Sequence, residues 1–177
     1  LRRDETCWFL AVDFDETGWR DDVAAFVETC VSRGCPTAVE RSRSGNGAHA
    51  WFFFTAPVAA SLARNFGSFL LTATMARRHP LSMQSYDRLF PNQDTLPRGG
   101  FGNLIALPLQ HAATLDGNTL FVDPTWTPYP DQWATLASVP RLDPALVESL
   151  VKAASRRGQI VGVRSAGLGD EAETPPT

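Results

Sequence analysis

The segment WFLAVDFDE, residues 8–16, constrains the fold most, because a run of core-type residues ends in acids. The apolar residues of Cys7–Asp15 predict a strand. Since side chains alternate along a strand, Asp13 and Asp15 point to the same side of it. The residues predicted to face the opposite side, toward a core, are Trp8, Leu10, Val12 and Phe14. The strand must therefore bury one face while two neighbouring carboxylates lie on the other.

Two neighbouring carboxylates repel each other, and partial burial strengthens the repulsion. A divalent cation relieves it, and hard oxygen ligands suit Mg²⁺ or Mn²⁺. We therefore predict a divalent-cation site at Asp13 and Asp15. The alternative is that both acids end an exposed strand and point into water.

The rest of the chain predicts helices and strands in alternation, with hairpins between them. Helices are expected at Asp21–Ser32, Ala59–Arg77, Asp131–Ala137 and Asp143–Arg157. Strands are expected at Thr37–Arg43, Ala48–Phe54, Met83–Leu89, Asn103–Leu109 and Thr119–Val122, with a loop at Pro91–Phe101. This order predicts an α/β or α+β fold with a mostly antiparallel sheet.

The chain has 177 residues, 44% of them hydrophobic, which suits one domain with a core. We assign residues 1–164 to this domain and the polar residues 165–177 to a flexible tail or linker. The sequence enters a strand almost at once without an initiating Met, so we expect a piece of a longer protein. No apolar run reaches about 18 residues, so no membrane association is predicted. Three cysteines are expected to be buried reduced thiols of a cytoplasmic protein.

Charge is distributed unevenly along the sequence, although the net charge is only −3. Residues 4–28 contain eight acids and one arginine, Arg20, whereas residues 33–98 contain eight arginines and three acids. An acidic edge beside a basic middle is the distribution that a site for a metal ion and a phosphate group requires.

A glycine-rich hairpin, SRSGNGAHAWFFF at residues 42–54, is the second feature. Its glycines allow a tight turn and close approach of a ligand to the main chain, whose N–H groups can bind phosphate oxygens. The candidate phosphate-binding residues are Arg41, Arg43, Ser44, Gly45, Asn46, Gly47 and His49. The alternative is an ordinary hairpin turn followed by a histidine with a structural partner.

The third feature is SYDRLFPNQDTLPRGGFGNLIALPLQ, residues 85–110. Asp87 lies in a short predicted strand, and the loop after it is rich in polar side chains and held by two prolines. These side chains are Arg88, Asn92, Gln93, Asp94 and Arg98. Such a loop favours a functional site over a spacer, the alternative being a packed structural loop.

In combination, AVDFDE, SGNGAHAWFFF and SYDRLF resemble the ordered motifs of the archaeo-eukaryotic primase superfamily. SG-NGAH is similar to the motif of polymerase domains attached to bacterial DNA-repair ligases. The string from SYDRLFPNQD through GGFGNLIALPLQ, then GN, FVD and DQW, resembles the primase-like domain of bacterial TOTE conflict systems. The resemblance covers residues 6–137.

The resemblance implies an α+β primase core, with an antiparallel sheet related to the RNA-recognition motif, flanking helices and a small α/β unit. It implies that Asp13, Asp15 and Asp87 hold two Mg²⁺ or Mn²⁺ ions. It also implies that Ser44 and His49 contact the phosphates of the incoming nucleotide. The repair-ligase relatives carry a lysine where this chain has Asn46, so an arginine must supply the charge. The candidates are Arg41, Arg43 and Arg98.

The function implied is template-directed joining of nucleoside triphosphates on a DNA template and primer, by a primase or primase-polymerase. Helicase or nuclease modules are expected in the longer protein. A non-catalytic module that binds nucleotides or nucleic acid is an alternative. A second alternative arises because DFDET also resembles the opening motif of haloacid-dehalogenase phosphatases. Those enzymes also need a lysine and a later acidic pair, and the single lysine here, Lys152, lies in a predicted helix.

Overall fold

A computed structural model describes residues 1–15, 17–77, 84–96 and 104–160. The strands are β1 (Thr6–Phe14), β2 (Ala38–Arg41), β3 (Ala48–Ala59), β4 (Tyr86–Phe90) and β5 (Arg141–Leu142). The helices are α1 (Trp19–Ser32), α2 (Ala60–Arg77), α3 (His111–Leu115), α4 (Gln132–Ser138) and α5 (Pro144–Arg156).

The strands form one sheet in the order β2-β3-β1-β4, and every neighbouring pair in this order is antiparallel. The short β5 pairs in parallel with β3. The apolar strands β1 and β3 occupy the centre, where both faces of a strand can be covered. The predicted α+β class with a mostly antiparallel sheet is confirmed.

The two faces of the sheet differ in what covers them. On one face, α1, α2 and α5 pack over the main core, to which β1 contributes Leu10, Val12 and Phe14. The opposite face carries a smaller cluster of Ala11, Trp51, Phe90 and Phe121. Asp13 follows Ala11 on this second face at the next alternate position of β1. The acids therefore lie on the face opposite the three long helices.

The prediction that Trp8 points into the core is wrong. The pairing of β1 with β3 shifts register between Cys7 and Phe9, which marks a bulge. A bulge interrupts the alternation of side chains. Cys7 is therefore buried in the core, whereas 48% of the Trp8 surface is exposed.

The helix predictions at residues 21–32, 59–77, 131–137 and 143–157 are confirmed to within about two residues. Asp131 and Asp143 each accept a hydrogen bond from a backbone N–H in the first turn of the helix that follows, which explains why α4 and α5 begin where they do. The hairpin of β2 and β3 is also confirmed, and β3 is longer than predicted.

The strand predicted at Asn103–Leu109 is wrong, because residues 104–109 form no strand. At Thr119–Val122 only isolated bridges occur. There Thr119 and Val122 donate backbone hydrogen bonds to β2, and Leu120 accepts one from it. This segment therefore covers the outer edge of β2. The sequence analysis missed α3 and β5, which are too short to show a periodic pattern.

None of the helices in the described part of the chain is long and apolar enough to cross a membrane. All three cysteines are buried free thiols. The predicted flexible tail at residues 165–177 lies outside the described residues, as does Arg98.

Candidate metal centre

The three predicted ligands converge on one point. Asp13, Asp15 and Asp87 each offer a carboxylate oxygen, and these oxygens lie within 4.8 Å of one another. Asp13 is 8% exposed, Asp15 is half-buried and Asp87 is exposed. Two strands separated by more than 70 residues thus bring together the cluster that the sequence predicts.

Asp87 reaches this cluster because β4 contains one residue more than the strand beside it. Asp13 pairs with Arg88, whereas the next residue, Phe14, pairs with Tyr86, so Asp87 has no pairing partner of its own. Such a bulge lets two consecutive side chains point the same way. Asp87 and Arg88 consequently both lie toward the acids, and Arg88 Nε donates a 2.6 Å hydrogen bond to Asp87 Oδ2.

Ser85 fixes the start of β4 immediately before the bulge. Its carbonyl accepts a 2.7 Å hydrogen bond from the Asp15 backbone N–H. Its hydroxyl and its own N–H donate to the buried Asp22 carboxylate of α1, at 2.6 and 3.2 Å. The sequence analysis missed both Ser85 and Asp22. Their hydrogen bonds connect α1 and the end of β1 to β4, and so fix the position of Asp87 relative to the other two acids.

The glycine turn lies directly against the acids. A Cβ atom at Gly47 would overlap the Phe14 carbonyl oxygen and an Asp15 carboxylate oxygen, so only glycine fits there. Gly45 has φ +77°, a conformation that favours glycine, and a Cβ atom there would meet Asn118 Oδ1 at 2.7 Å. Asn118 also donates to the Arg43 carbonyl. The predicted phosphate-binding turn and the predicted metal ligands therefore form one site.

Other predicted residues of the turn hold its shape. Ser44 Oγ accepts a hydrogen bond from the Asn46 backbone N–H, and Arg41 Nε donates to the Gly45 carbonyl at 3.2 Å. Arg43 is exposed. The turn thus presents exposed side chains of Arg43, Ser44 and Asn46 beside the acids.

His49 connects the metal cluster to a buried carboxylate that the sequence analysis missed. Its Nε2 lies 3.4 Å from Asp13 Oδ1, and its Nδ1 donates a 2.9 Å hydrogen bond to Glu40 Oε2. Glu40 is completely buried and accepts a second hydrogen bond, of 2.8 Å, from Trp51 Nε1. Glu40 and His49 are direct cross-strand partners. The sequence contained the information for this pairing, because counting outward from the glycine turn along β2 and β3 places Glu40 opposite His49.

The acids shift the titration of the groups around them. Burial alone would lower the pKa of His49, but Asp13 and Glu40 outweigh it and raise that pKa to about 9. Burial, followed by repulsion from Asp13 and Asp87, raises the pKa of Asp15. The hydrogen bond and charge of Asp87 raise the pKa of Arg88. The site thus concentrates negative charge beyond what its own cations neutralise.

The residues present fit a divalent cation. Asp13 Oδ1 is buried and makes no hydrogen bond with any described residue, although His49 lies at ion-pair distance. A buried carboxylate oxygen in this state is unfavourable without a further positive partner. Three carboxylates form an all-oxygen donor set, which suits Mg²⁺ or Mn²⁺ better than softer metals.

A family model described as the archaeo-eukaryotic primase domain of the TOTE conflict system matches residues 1–150. The chain belongs to this family. The match covers the sheet, the acidic cluster and the glycine turn, and ends within α5. Membership of this primase family supports a nucleotidyltransferase-type, primase-like function in general. No curated protein matches the chain at a significant level.

Proposed function

We propose that the chain is a template-directed nucleotidyltransferase, a primase or primase-polymerase, that joins nucleoside triphosphates on a DNA template and primer. The observation that carries the proposal is the convergence of Asp13, Asp15 and Asp87 within 4.8 Å, directly against the glycine turn. This arrangement combines a cation site with a surface suited to phosphates, as nucleotidyl transfer requires.

Asp13, Asp15 and Asp87 would hold two Mg²⁺ or Mn²⁺ ions. When bound, such ions lower the pKa of an attacking hydroxyl and neutralise charge on the attacking and leaving oxygens of a phosphate. The three carboxylates differ in burial, since Asp13 is buried in β1 whereas Asp87 is exposed at a bulge. We assign Asp13 the role of the rigid ligand and Asp87 that of the ligand that adjusts.

The groups beside the acids would orient the nucleotide. His49, held by Glu40 on one ring nitrogen, keeps the other nitrogen at the acid cluster, where it can donate to a phosphate oxygen. Ser44 and Asn46 are exposed on the turn and offer further donors. Fixed donors of this kind stabilise the charge that develops on phosphate oxygens without costly reorganisation.

The test is primer extension on a DNA template with Mn²⁺, comparing wild type with Asp13→Ala. We expect extension by wild type and a loss of at least about a thousandfold in the variant, because one ligand of the cation site is removed. Asp116→Ala removes an equally charged but exposed acid after α3 and should extend primers at the wild-type rate. Full extension by Asp13→Ala would refute the proposal.

The same assay separates the alternatives. Binding of nucleotides or DNA without extension by wild type would instead favour the non-catalytic module. Hydrolysis of an aryl phosphate without a polymer product would favour the phosphatase. Against the phosphatase, Lys152 lies on α5 on the helical side of the sheet and pairs with Glu148 at 2.6 Å, away from the acids. Coupling to helicase or nuclease modules in a longer protein is part of the proposal.

A further inference from the structure

We propose that Arg20 binds the β- and γ-phosphates of the nucleoside triphosphate, on the far side of the glycine turn from the acids. This inference rests on the proposed function and extends it to a residue outside the family-like motifs. Arg20 is the single arginine within the acidic stretch of residues 4–28. It lies at the start of α1, beside the turn that carries Asn46.

Two cavities meet at Asn46. One has a volume of about 340 Å³ and is lined by two of the acids, Asp15 and Asp87, together with Asn46, Gln84, Ser85 and Tyr86. The other has a volume of about 460 Å³ and is lined by Thr17, Gly18, Trp19, Arg20 and Asn46. A polyphosphate bound at the acids can therefore continue over the Asn46 side chain into the second cavity.

The Arg20 guanidinium packs against two aromatic rings. It lies 4.5 Å from the centre of the Trp19 ring and 6.0 Å from that of Trp126, and the two rings pack edge to face at 4.8 Å. No carboxylate among the described residues forms an ion pair with it. Stacking on aromatic rings orients a guanidinium at small entropic cost, and its planar N–H groups match phosphate oxygens.

The turn carries Arg41 and the exposed Arg43, but neither residue lines the second cavity. Asn46 is neutral, and Arg41 donates its Nε to the Gly45 carbonyl. On the opposite wall, α1 begins at Trp19 with Gly18 as its N-cap, and no side chain caps it. A helix start favours anions, although Asp21 and Asp22 in the first turn oppose this effect. Arg20 is therefore the cation that faces the second cavity.

The test is equilibrium binding of nucleoside tri-, di- and monophosphates to the whole chain, with Ca²⁺ replacing the catalytic ion. For Arg20→Gln we expect triphosphate binding to weaken about tenfold or more, because a charge-assisted contact is lost. Monophosphate binding should change by less than about twofold, since that ligand ends at the acids. Arg20→Lys, which keeps the charge and loses the planar fork, should recover part of the triphosphate affinity.

Arg33→Gln is the matched control. Arg33 follows the other end of α1, about 20 Å away, and its guanidinium also lies over a ring, that of Phe69 at 5.3 Å. The control loses the same charge and a similar stacking contact, and should bind all three nucleotides as wild type does. Equal weakening of triphosphate and monophosphate binding by Arg20→Gln would overturn the proposal.

Other outcomes are also decisive. If Arg20→Gln weakens binding of single-stranded DNA and leaves triphosphate binding intact, Arg20 contacts the nucleic-acid backbone and the proposal is overturned. If Arg20→Gln does not fold, two other measurements decide. Equal affinity of the wild-type protein for mono- and triphosphates would overturn the proposal. A partial loss of triphosphate affinity in Arg20→Lys would support it. If Arg20→Gln selectively loses triphosphate binding but the wild-type protein extends no primer, the role of Arg20 is upheld and the proposed function is refuted.

Discussion

At the scale of residues, the site depends on a short chain of polar contacts that runs inward from the acids. Asp13 faces His49, His49 donates to Glu40, and Glu40 also accepts from Trp51. Glu40 has no exposed surface, and its Oε1 atom has no hydrogen-bond partner among the described residues. Such a buried carboxylate persists only if it stabilises a charge beside it, and the nearest is His49.

The stability of the metal-free protein should therefore depend on pH through His49. Its pKa in the folded state is about 9, above its ordinary value of 6.5, so folding favours the protonated ring. The stabilisation is fully present below pH 6.5 and is lost as pH rises through about 9; the difference corresponds to roughly 3 kcal/mol. Urea unfolding in EDTA between pH 6 and pH 10 measures this loss.

Glu40→Gln tests the cause of that dependence. Without the Glu40 carboxylate the His49 pKa should fall, so the loss of stability should become smaller and move to lower pH. Glu148→Gln changes an exposed acid on α5 and should leave the profile unaltered. An unchanged profile in Glu40→Gln would mean that Glu40 does not hold the charge of His49.

Among the elements, the glycine turn and the bulge of β4 define the site, and β1 carries a second bulge between Cys7 and Phe9. The sequence predicted the strands, the long helices and the turn, because alternation, helical periodicity and glycine spacing are local patterns. It did not predict the bulges, because an extra residue in one strand is visible only when the partner strand is known. That is why the predicted orientation of Trp8 was wrong and why the contact of Arg88 with Asp87 was not predicted.

Gly47→Ala should weaken cation binding and also lower the unfolding free energy. A methyl group at Gly47 would overlap the Asp15 carboxylate and the Phe14 carbonyl, so the turn and the acid must move apart. We expect at least about a tenfold weaker Mn²⁺ affinity, measured by calorimetry or by paramagnetic relaxation, since a ligand shift of about 1 Å is large for a cation site.

Gly117→Ala is the matched control for that change. Gly117 has φ +74° and no atom near its missing Cβ, so alanine there adds backbone strain of about 1–2 kcal/mol and no clash. It should lower the unfolding free energy and leave Mn²⁺ affinity unaltered. Equal Mn²⁺ affinity in both glycine variants would show that close packing of the turn against Asp15 does not affect cation binding.

For the whole molecule, the sheet separates a helix-covered core from a face that carries the acidic cluster. The family, the fold class and the three acids could be predicted from the sequence, because the order of the motifs and the alternation of apolar residues in the strands are visible in the sequence itself. The contacts of Glu40, Ser85 and Arg20 could not be predicted, because they are made with residues distant in the chain. Glu40 contacts His49 across a hairpin, Ser85 contacts Asp22 on α1, and Arg20 lies near Trp126.

The core should also protect the thiols of the native protein. Burial raises the pKa values of Cys7 and Cys35 to about 11 and that of Cys30 well above its ordinary value. Little thiolate is therefore present at pH 8, and access is blocked as well. We expect iodoacetamide to label none of the three in the folded state and all three in urea. Rapid labelling of the native protein at pH 8 would contradict this packing.

β4 is short, pairs with β1 over only four registered positions, and carries Asp87 at its bulge. A cation held jointly by Asp13 and Asp87 would therefore link two strands that pair over only a few residues. Binding of the ion and pairing of β4 with β1 would then be thermodynamically linked, so that each favours the other. In that case the pairing of β4 with β1 reaches its full stability only when the ion is bound.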